Sequence, residues 1–403
     1  MISEELLDLA FAYRKAALWE KIGDRDIFAF RLETGEPVLI AVMGKIGEHC
    51  AIAAYPGNRG LKAYISALTP PPPNQNSLKR FESFISQDCI QLELTQKDKV
   101  LEDELEEIEV YAKKKGISLD GNKVYPSFVR YFPYHEAGSL TQEADQNILA
   151  TALKMAISLS LSLEFITAPS LGILGLKRRS DPIPIFRLED GQLYPDGECY
   201  FPKAAVFESD YLKADNPMLS AETKKLPRSK NYFFADLGHV PRITRDSDDS
   251  TPYFPGVLFM IDKNSPMGDG ITFKADPETQ GQKAILEFDS YWLGHGYIPE
   301  GIVCVSEKTY AFLKDYCEKT GIEVSLDPSM MEHLNDIEES FYQRFEGDVS
   351  LDDDIANLIQ MILKMNKDEI SELPEELVSS LKDMIAYGAF TPEIRQQLKE
   401  KLN

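Results

Sequence analysis

Gly256-Val257-Leu258-Phe259-Met260-Ile261-Asp262 carries no polar side chain until its last residue, and it decides the fold class. An apolar run of strand length, entered from Pro255 and left through Asp262-Lys263-Asn264, is what a strand covered on both faces looks like. Residues 271–275 read as the strand that returns beside it. Gly268-Asp269-Gly270 then lies between two strands rather than between strand and helix, so it is expected as a hairpin turn and not as a phosphate loop. Downstream the pattern alternates: a helix over 280–294, a buried strand over 301–305, a helix over 307–320 stopped by Gly321, and a strand over 322–326. Pro328 suits the first turn of a further helix reaching about residue 345, where its missing amide hydrogen is harmless. Alternating strand and helix predicts a partly parallel sheet with helices on its faces.

Working back from that core, residues 183–250 hold short strand-like runs, 183–188, 200–207 and 232–236, broken by Pro, Asp and Gly. The stretch 168–179, rich in Gly, Leu and Ser and ending in Lys177-Arg178-Arg179, reads as a boundary between domains. Ahead of it, Ser3 is placed to cap a helix whose apolar stripe is Leu6, Leu7, Ala10, Phe11, Ala17 and Leu18, with Gly23 as its stop. Three strand-like runs follow, 26–32, 37–43 and 49–55, joined at Glu33-Thr34-Gly35-Glu36 and near Gly44-Gly47, as an antiparallel meander would be. A short helix (60–68), the proline run 69–77, a helix, strands over 89–94 and 125–134, and helices over 101–115 and 142–165 complete the first half. Four consecutive prolines cannot continue a helix, so that run is a surface spacer.

The fold expected is α+β to α/β: a first domain over 1–167, a second over 180–345, and a helical tail over 346–403. The tail shows Asp352-Asp353-Asp354 ahead of Ile355, Leu358, Ile359, Ile362 and Leu363 at helical spacing.

Composition excludes several classes. The 403 residues carry a formal net charge of −23. Tallying Lys and Arg against Asp and Glu gives −6 for 1–165, −10 for 166–345 and −7 for 346–403, so no segment is basic. Binding that depends on neutralising phosphates needs the opposite sign, and no nucleic-acid partner is expected. Five scattered cysteines without a CxxC or CxC pair do not make a secreted disulfide framework and point to a reducing, cytoplasmic setting. The N-terminus begins with acids rather than a basic leader, and the longest apolar run, 148–163, contains Lys154 and three serines, so neither a signal peptide nor a membrane span is expected.

Two stretches carry a resemblance. Trp19-Glu20-Lys21-Ile22, Phe28-Ala29-Phe30-Arg31-Leu32 and Val42-Met43-Gly44-Lys45-Ile46-Gly47-Glu48-His49-Cys50 resemble an uncharacterised bacterial domain with an MGxxGEH-type hairpin. Tyr253-Phe254-Pro255-Gly256 onward, with Gly296-Tyr297-Ile298-Pro299-Glu300-Gly301 and Gly321-Ile322-Glu323-Val324, resembles a second domain of unknown function that often follows it. That second domain is similar in strand and helix order to an RNase H-like fold, in degenerate form. The likeness implies organisation and no assigned reaction.

Active members of that fold hold two metal ions with acids at strand ends and on a later helix. The corresponding residues are Asp262 at the end of the first strand of this core, Glu307 two residues after the central parallel strand 301–305, and Asp327 or Glu338. Each also has a plainer reading: Glu307 and Asp327 sit at helix starts, where the dipole favours acids, and Asp262 opens a turn. Gly47-Glu48-His49-Cys50 places imidazole and thiol on opposite sides of an extended strand, which suits a structural turn better than a catalytic pair. Five dispersed histidines signal no zinc site, and nucleotide-loop and hydrolase-elbow motifs are missing. The sequence therefore points to a non-enzymatic binding or adaptor protein with a protein partner and no cofactor. The alternative is a metal-dependent, nuclease-like phosphoryl-transfer enzyme using Mg²⁺ or Mn²⁺ at those acids.

Overall fold

The structure, a computed structural model, describes residues 2–45, 49–68, 76–100, 102–201, 221–247, 251–263, 268–275 and 280–345, with a few residues beyond 361. The helical tail expected over 346–403 lies almost entirely outside the described residues, as do the prolines at 70–73 and Gly47-Glu48. The chain is α+β and forms two units, each with one mixed sheet. The first unit comprises 1–69, 86–133 and 137–205; the second comprises 70–85, 134–136 and 206–403.

In chain order the first half runs α1 (Glu4–Ala16), β1 (Phe28–Arg31), β2 (Pro37–Met43), β3 (Cys50–Pro56), α2 (Gly57–Leu68), α3 (Ser77–Ile85) and β4 (Cys89–Thr95). It continues through α4 (Glu102–Lys115), β5 (Tyr125–Tyr131), β6 (Gly138–Ser139), α5 (Glu143–Ser162), β7 (Ile183–Glu189) and β8 (Gln192–Cys199). Ser3 caps α1 as expected, its Oγ accepting from the Leu6 amide at 3.2 Å. Eight strands form one sheet in the order β6-β5-β4-β3-β2-β1-β7-β8. Alternate residues of the central strands enter different cores: Val38, Ile40 and Val42 of β2 pack with α1 and α5, while Leu39 and Ala41 pack with Leu61 and Tyr64 of α2. That double cover is why β2 and β3 read as continuous apolar runs rather than alternating ones. The turn after β2 demands glycine: Gly44 has φ +123°, and a Cβ there would stand 2.4 Å from the His49 carbonyl oxygen.

Residues 183–199, expected from sequence in the second domain, lie in the first sheet. β7 runs parallel to β1, with Ala29 beside Ile185, and β8 extends the sheet beyond it. Ile183, Ile185 and Phe186 are buried there, so this segment completes the first sheet instead of opening the second domain.

The second unit holds β9 (Tyr232–His239), β10 (Gly256–Asp262), β11 (Gly268–Thr272), α6 (Gly281–His295), β12 (Gly301–Cys304), α7 (Glu307–Thr320), β13 (Glu323–Leu326) and α8 (Glu332–Gln343). Its strand order is β11-β10-β9-β12-β13; β10 is antiparallel to β9 and β11, whereas β12 runs parallel to β9 and β13. The central strand is thus β9, and β10, taken from sequence as the first strand of the core, is its antiparallel neighbour. Gly268 and Gly270 are paired strand residues opposite Ile261 and Phe259, not turn residues. Phe233, Ala235 and Leu237 of β9 face α6 and α7, with Phe288, Trp292 and Phe312 in that core. The other face meets Leu78, Phe81 and Ile85 of α3 and Leu334 and Phe341 of α8. α3 therefore belongs to the second core although its sequence interrupts the first domain.

In the first unit, the guanidinium of Arg130 sits 2.8 Å from Asp88 Oδ1 and 3.3 Å from Asp145 Oδ2, donates to the Cys89 carbonyl, and stacks over Phe132. Removing one member of a buried ion network strands the rest. Arg130→Met is expected to destabilise the first unit by about 3 kcal/mol in urea unfolding followed by tryptophan emission from Trp19, and to leave the second unit's transition in place.

Candidate functional site

The second unit encloses a cluster of charged side chains drawn from four elements. Asn76 caps α3, its Oδ1 accepting from the Lys79 amide at 2.9 Å. From that helix Leu78 and Phe81 point into the apolar core, while Lys79 and Glu82, three residues apart, point along the neighbouring polar stripe. The helix can lie this close to β9 because Gly238 has no side chain; a Cβ there would meet Leu78 at 3.1 Å and Phe259 at 3.2 Å.

Lys79 Nζ stands 2.5 Å from Asp236 Oδ2 on β9, 3.2 Å from Glu82 Oε2, and 3.6 Å from Glu338 Oε1 on α8. Asp236 is fully buried, and its Oδ1 accepts from Ser306 Oγ at 2.6 Å and Thr309 Oγ1 at 2.7 Å. Those two residues belong to the capped start of α7, so one carboxylate ties α3, β9 and α7 together. Glu82 Oε1 faces His239 Nδ1 at 2.9 Å and Lys308 Nζ at 3.4 Å. The His239 ring is stacked on Tyr134 at 3.9 Å, and the Lys308 ammonium lies over the same Tyr134 ring. Glu338 Oε2 accepts from Asn76 Nδ2 at 2.6 Å, and Glu339 accepts from the amide and hydroxyl of Ser77.

The electrostatics follow from this geometry. Burial opposes the Lys79 ammonium, but Asp236, Glu82 and Glu338 outweigh it and hold its pKa well above the ordinary lysine value. Burial likewise disfavours charge on Glu82, yet Lys79, Lys308 and His239 bring its pKa far below the usual carboxylate range. Glu338 goes the other way: burial, reinforced by Asp236 and Glu82, overcomes Lys79 and Asn76 and pushes it up to about 8. At neutral pH it holds a proton, which leaves two ammonium groups facing the two carboxylates of Asp236 and Glu82.

Of the four acids singled out from sequence, only Glu338 enters this cluster. Asp262 pairs across from Phe233, where β9 begins, and accepts from Asn231 Nδ2 at 2.6 Å. Cys304 lies beside both Ala235 and Leu326, so Glu307 and Asp327 follow the opposite, carboxyl ends of the parallel strands. At about 3.3 Å per residue, Asp262 is on the order of 13 Å along the sheet from them. The antiparallel direction of β10 is the reason. Glu307 occupies the first turn of α7, and Asp327 caps a short 3-10 helix by accepting from the Ser329 amide. Among the described residues, no three His, Cys, Asp or Glu side chains are placed to hold a metal ion. His49 is engaged with Glu93 at 2.8 Å, and burial raises the pKa of the Cys50 thiol. Lys79, Glu82, Asp236, His239 and Lys308 were not singled out from sequence. The available signal was the strand Phe233-Phe234-Ala235-Asp236-Leu237-Gly238-His239, in which Asp236 and Gly238 share one face while Phe233, Ala235 and Leu237 keep the other apolar up to His239.

Glu338 gives the cluster a pH signature. Its pKa is raised on folding, so its contribution to stability is complete below the unfolded carboxyl pKa and is lost as pH rises through about 8. Glu338→Gln, which keeps the hydrogen-bonding shape without a titrating proton, is expected to flatten the loss of stability between pH 5 and pH 9. That loss should be on the order of 3–5 kcal/mol in the unaltered chain, measured by urea unfolding at each pH.

Two family models match the chain: a domain of unknown function, DUF7309, over residues 4–169, and a domain of unknown function, DUF6930, over residues 219–342. No curated protein and no solved structure matches it. Among the described residues no helix is long and apolar enough to cross a membrane. The chain thus carries two domains of unknown function, DUF7309 and DUF6930, one after the other.

Proposed function

We propose that this chain is a non-enzymatic binding or adaptor protein of the cytoplasm, with another protein as its partner. The observation that carries the reading is the ammonium of Lys79 among Asp236, Glu82 and Glu338. A hydrolytic metal site needs carboxylates open to an ion and to water. Here Asp236 on β9 and Glu82 on α3 have Lys79 and Lys308 as counterions, and Glu338 on α8 is buried with its proton. Their arrangement serves cohesion, which leaves the outer surfaces to do the work. The five free cysteines support a reducing compartment, and the charge of −23 supports a partner other than nucleic acid.

We also read the second unit as a degenerate RNase H-like domain. What supports this is its order of three antiparallel strands followed by two parallel ones, with helices between.

Affinity purification from the native host should return a protein partner at equimolar ratio, and calorimetric titration with Mn²⁺ should give no saturable heat. Saturable Mn²⁺ binding that disappears in Asp236→Asn, together with hydrolysis of a phosphodiester, would overturn the reading.

A further inference from the structure

The first unit contains a cavity of about 250 Å³ lined by Arg25, Ile27, Leu174, Leu176, Lys177 and Pro184, among others. Its walls are fixed by backbone bonds. The Leu176 amide donates to the Arg25 carbonyl at 2.7 Å, which lays residues 174–177 alongside Arg25. Asp181 Oδ2 then accepts from the amides of Lys177 and Arg178 at 2.9 and 2.8 Å, closing the turn. Leu174 stands at the cavity 66 % exposed.

The charges around it differ from those elsewhere on the chain. Of the two basic triplets, Lys113-Lys114-Lys115 is answered by acids, Lys114 pairing with Glu4 and Lys115 with Asp8. Lys177-Arg178-Arg179 forms no ion pair among the described residues, and neither does Arg25. The nearby acids Asp26 and Asp181, the latter lining the cavity, accept from backbone amides and keep their negative charge, Arg178 and Lys177 helping to hold Asp181 ionised, so that Arg25, Lys177, Arg178 and Arg179 exceed these two by a small positive margin. In a protein of net charge −23 this leaves exposed cations beside an apolar hollow. Because long-range repulsion is screened beyond roughly 8 Å at physiological salt, the local sign decides what docks here.

We propose that this cavity is an anchor site for an acidic peptide segment of a protein partner, taking one apolar side chain between Leu174, Ile27 and Pro184 with flanking carboxylates on Arg25 and Lys177. Size and charge both favour that occupant. The cavity is below the roughly 300–1,000 Å³ of sites for drug-sized ligands, yet it has room for one anchoring side chain, the usual centre of a small interface. The inference rests on the binding-protein reading above and names the chemistry of the partner.

The test is fluorescence anisotropy of the full chain with a labelled acidic pentapeptide carrying a central leucine. Binding is expected with a dissociation constant of roughly 10–100 μM, with a loss of roughly tenfold for Lys177→Glu, a smaller loss for Lys177→Gln, and a similar loss when the probe's leucine becomes alanine. Lys177 is exposed and holds Asp181 through its backbone amide, so both variants should melt as the unaltered chain does. No saturable binding up to about 1 mM, or equal affinity for the unaltered chain and Lys177→Glu, overturns the site. A host partner whose capture is indifferent to Lys177→Glu would leave the adaptor reading standing and remove this one. Probe binding without any host partner would do the reverse.

Discussion

The second unit depends on one contact, the largely buried ammonium of Lys79 against the fully buried carboxylate of Asp236, 2.5 Å apart. Either group alone would be prohibitive to bury. An uncompensated interior charge costs several kcal/mol, and breaking such a pair typically costs 3–5 kcal/mol because the survivor has nowhere to go. Everything around the pair can be read as making it tolerable. Ser306 and Thr309 satisfy the second oxygen of Asp236, Glu82 balances Lys308 and Lys79, and Glu338 stays protonated because a third negative charge has no counterion. Gly238 supplies the clearance that lets α3 come near enough for the pair to form.

The arrangement also explains why domain boundaries and family boundaries disagree. The first family model spans residues 4–169 without a break, yet residues 76–85 within it supply the helix that covers one face of the second sheet. Without that helix, Asp236, His239, Lys308 and Glu338 would face an open groove. A fold that places charges under a helix from elsewhere in the chain gains little raw stability by it, since an apolar face of the same shape would pack as well at lower cost.

Much of the fold was legible in the sequence because burial on both faces leaves continuous apolar runs. β2, β3, β10 and β12 announce themselves this way, and Gly321 marks the joint between α7 and β13. What was not legible is tertiary allegiance. Lys79 and Glu82, three residues apart, look like any solvated helix face, and only the structure shows that their partners are Asp236 and His239. β9 was shortened in the reading because Asp236, Gly238 and His239 look like the end of a strand. The central parallel strand expected from sequence is β12, whereas β9 stands at the centre of the sheet; β10, expected as the first strand, ends with Asp262 beside the start of β9, away from Glu307 and Asp327. Glu338 was named for its position on a late helix and proves to be the group whose proton completes the charge balance.

The most direct measurement is native-state hydrogen exchange on the intact chain, because a helix that completes a core must open with that core. The account predicts that the amides of 79–85 exchange with the same opening free energy as those of β9 and β12, and that Lys79→Met lowers all three together. Exchange of α3 at the rate of a surface helix, with β9 and β12 unaffected by Lys79→Met, would contradict it.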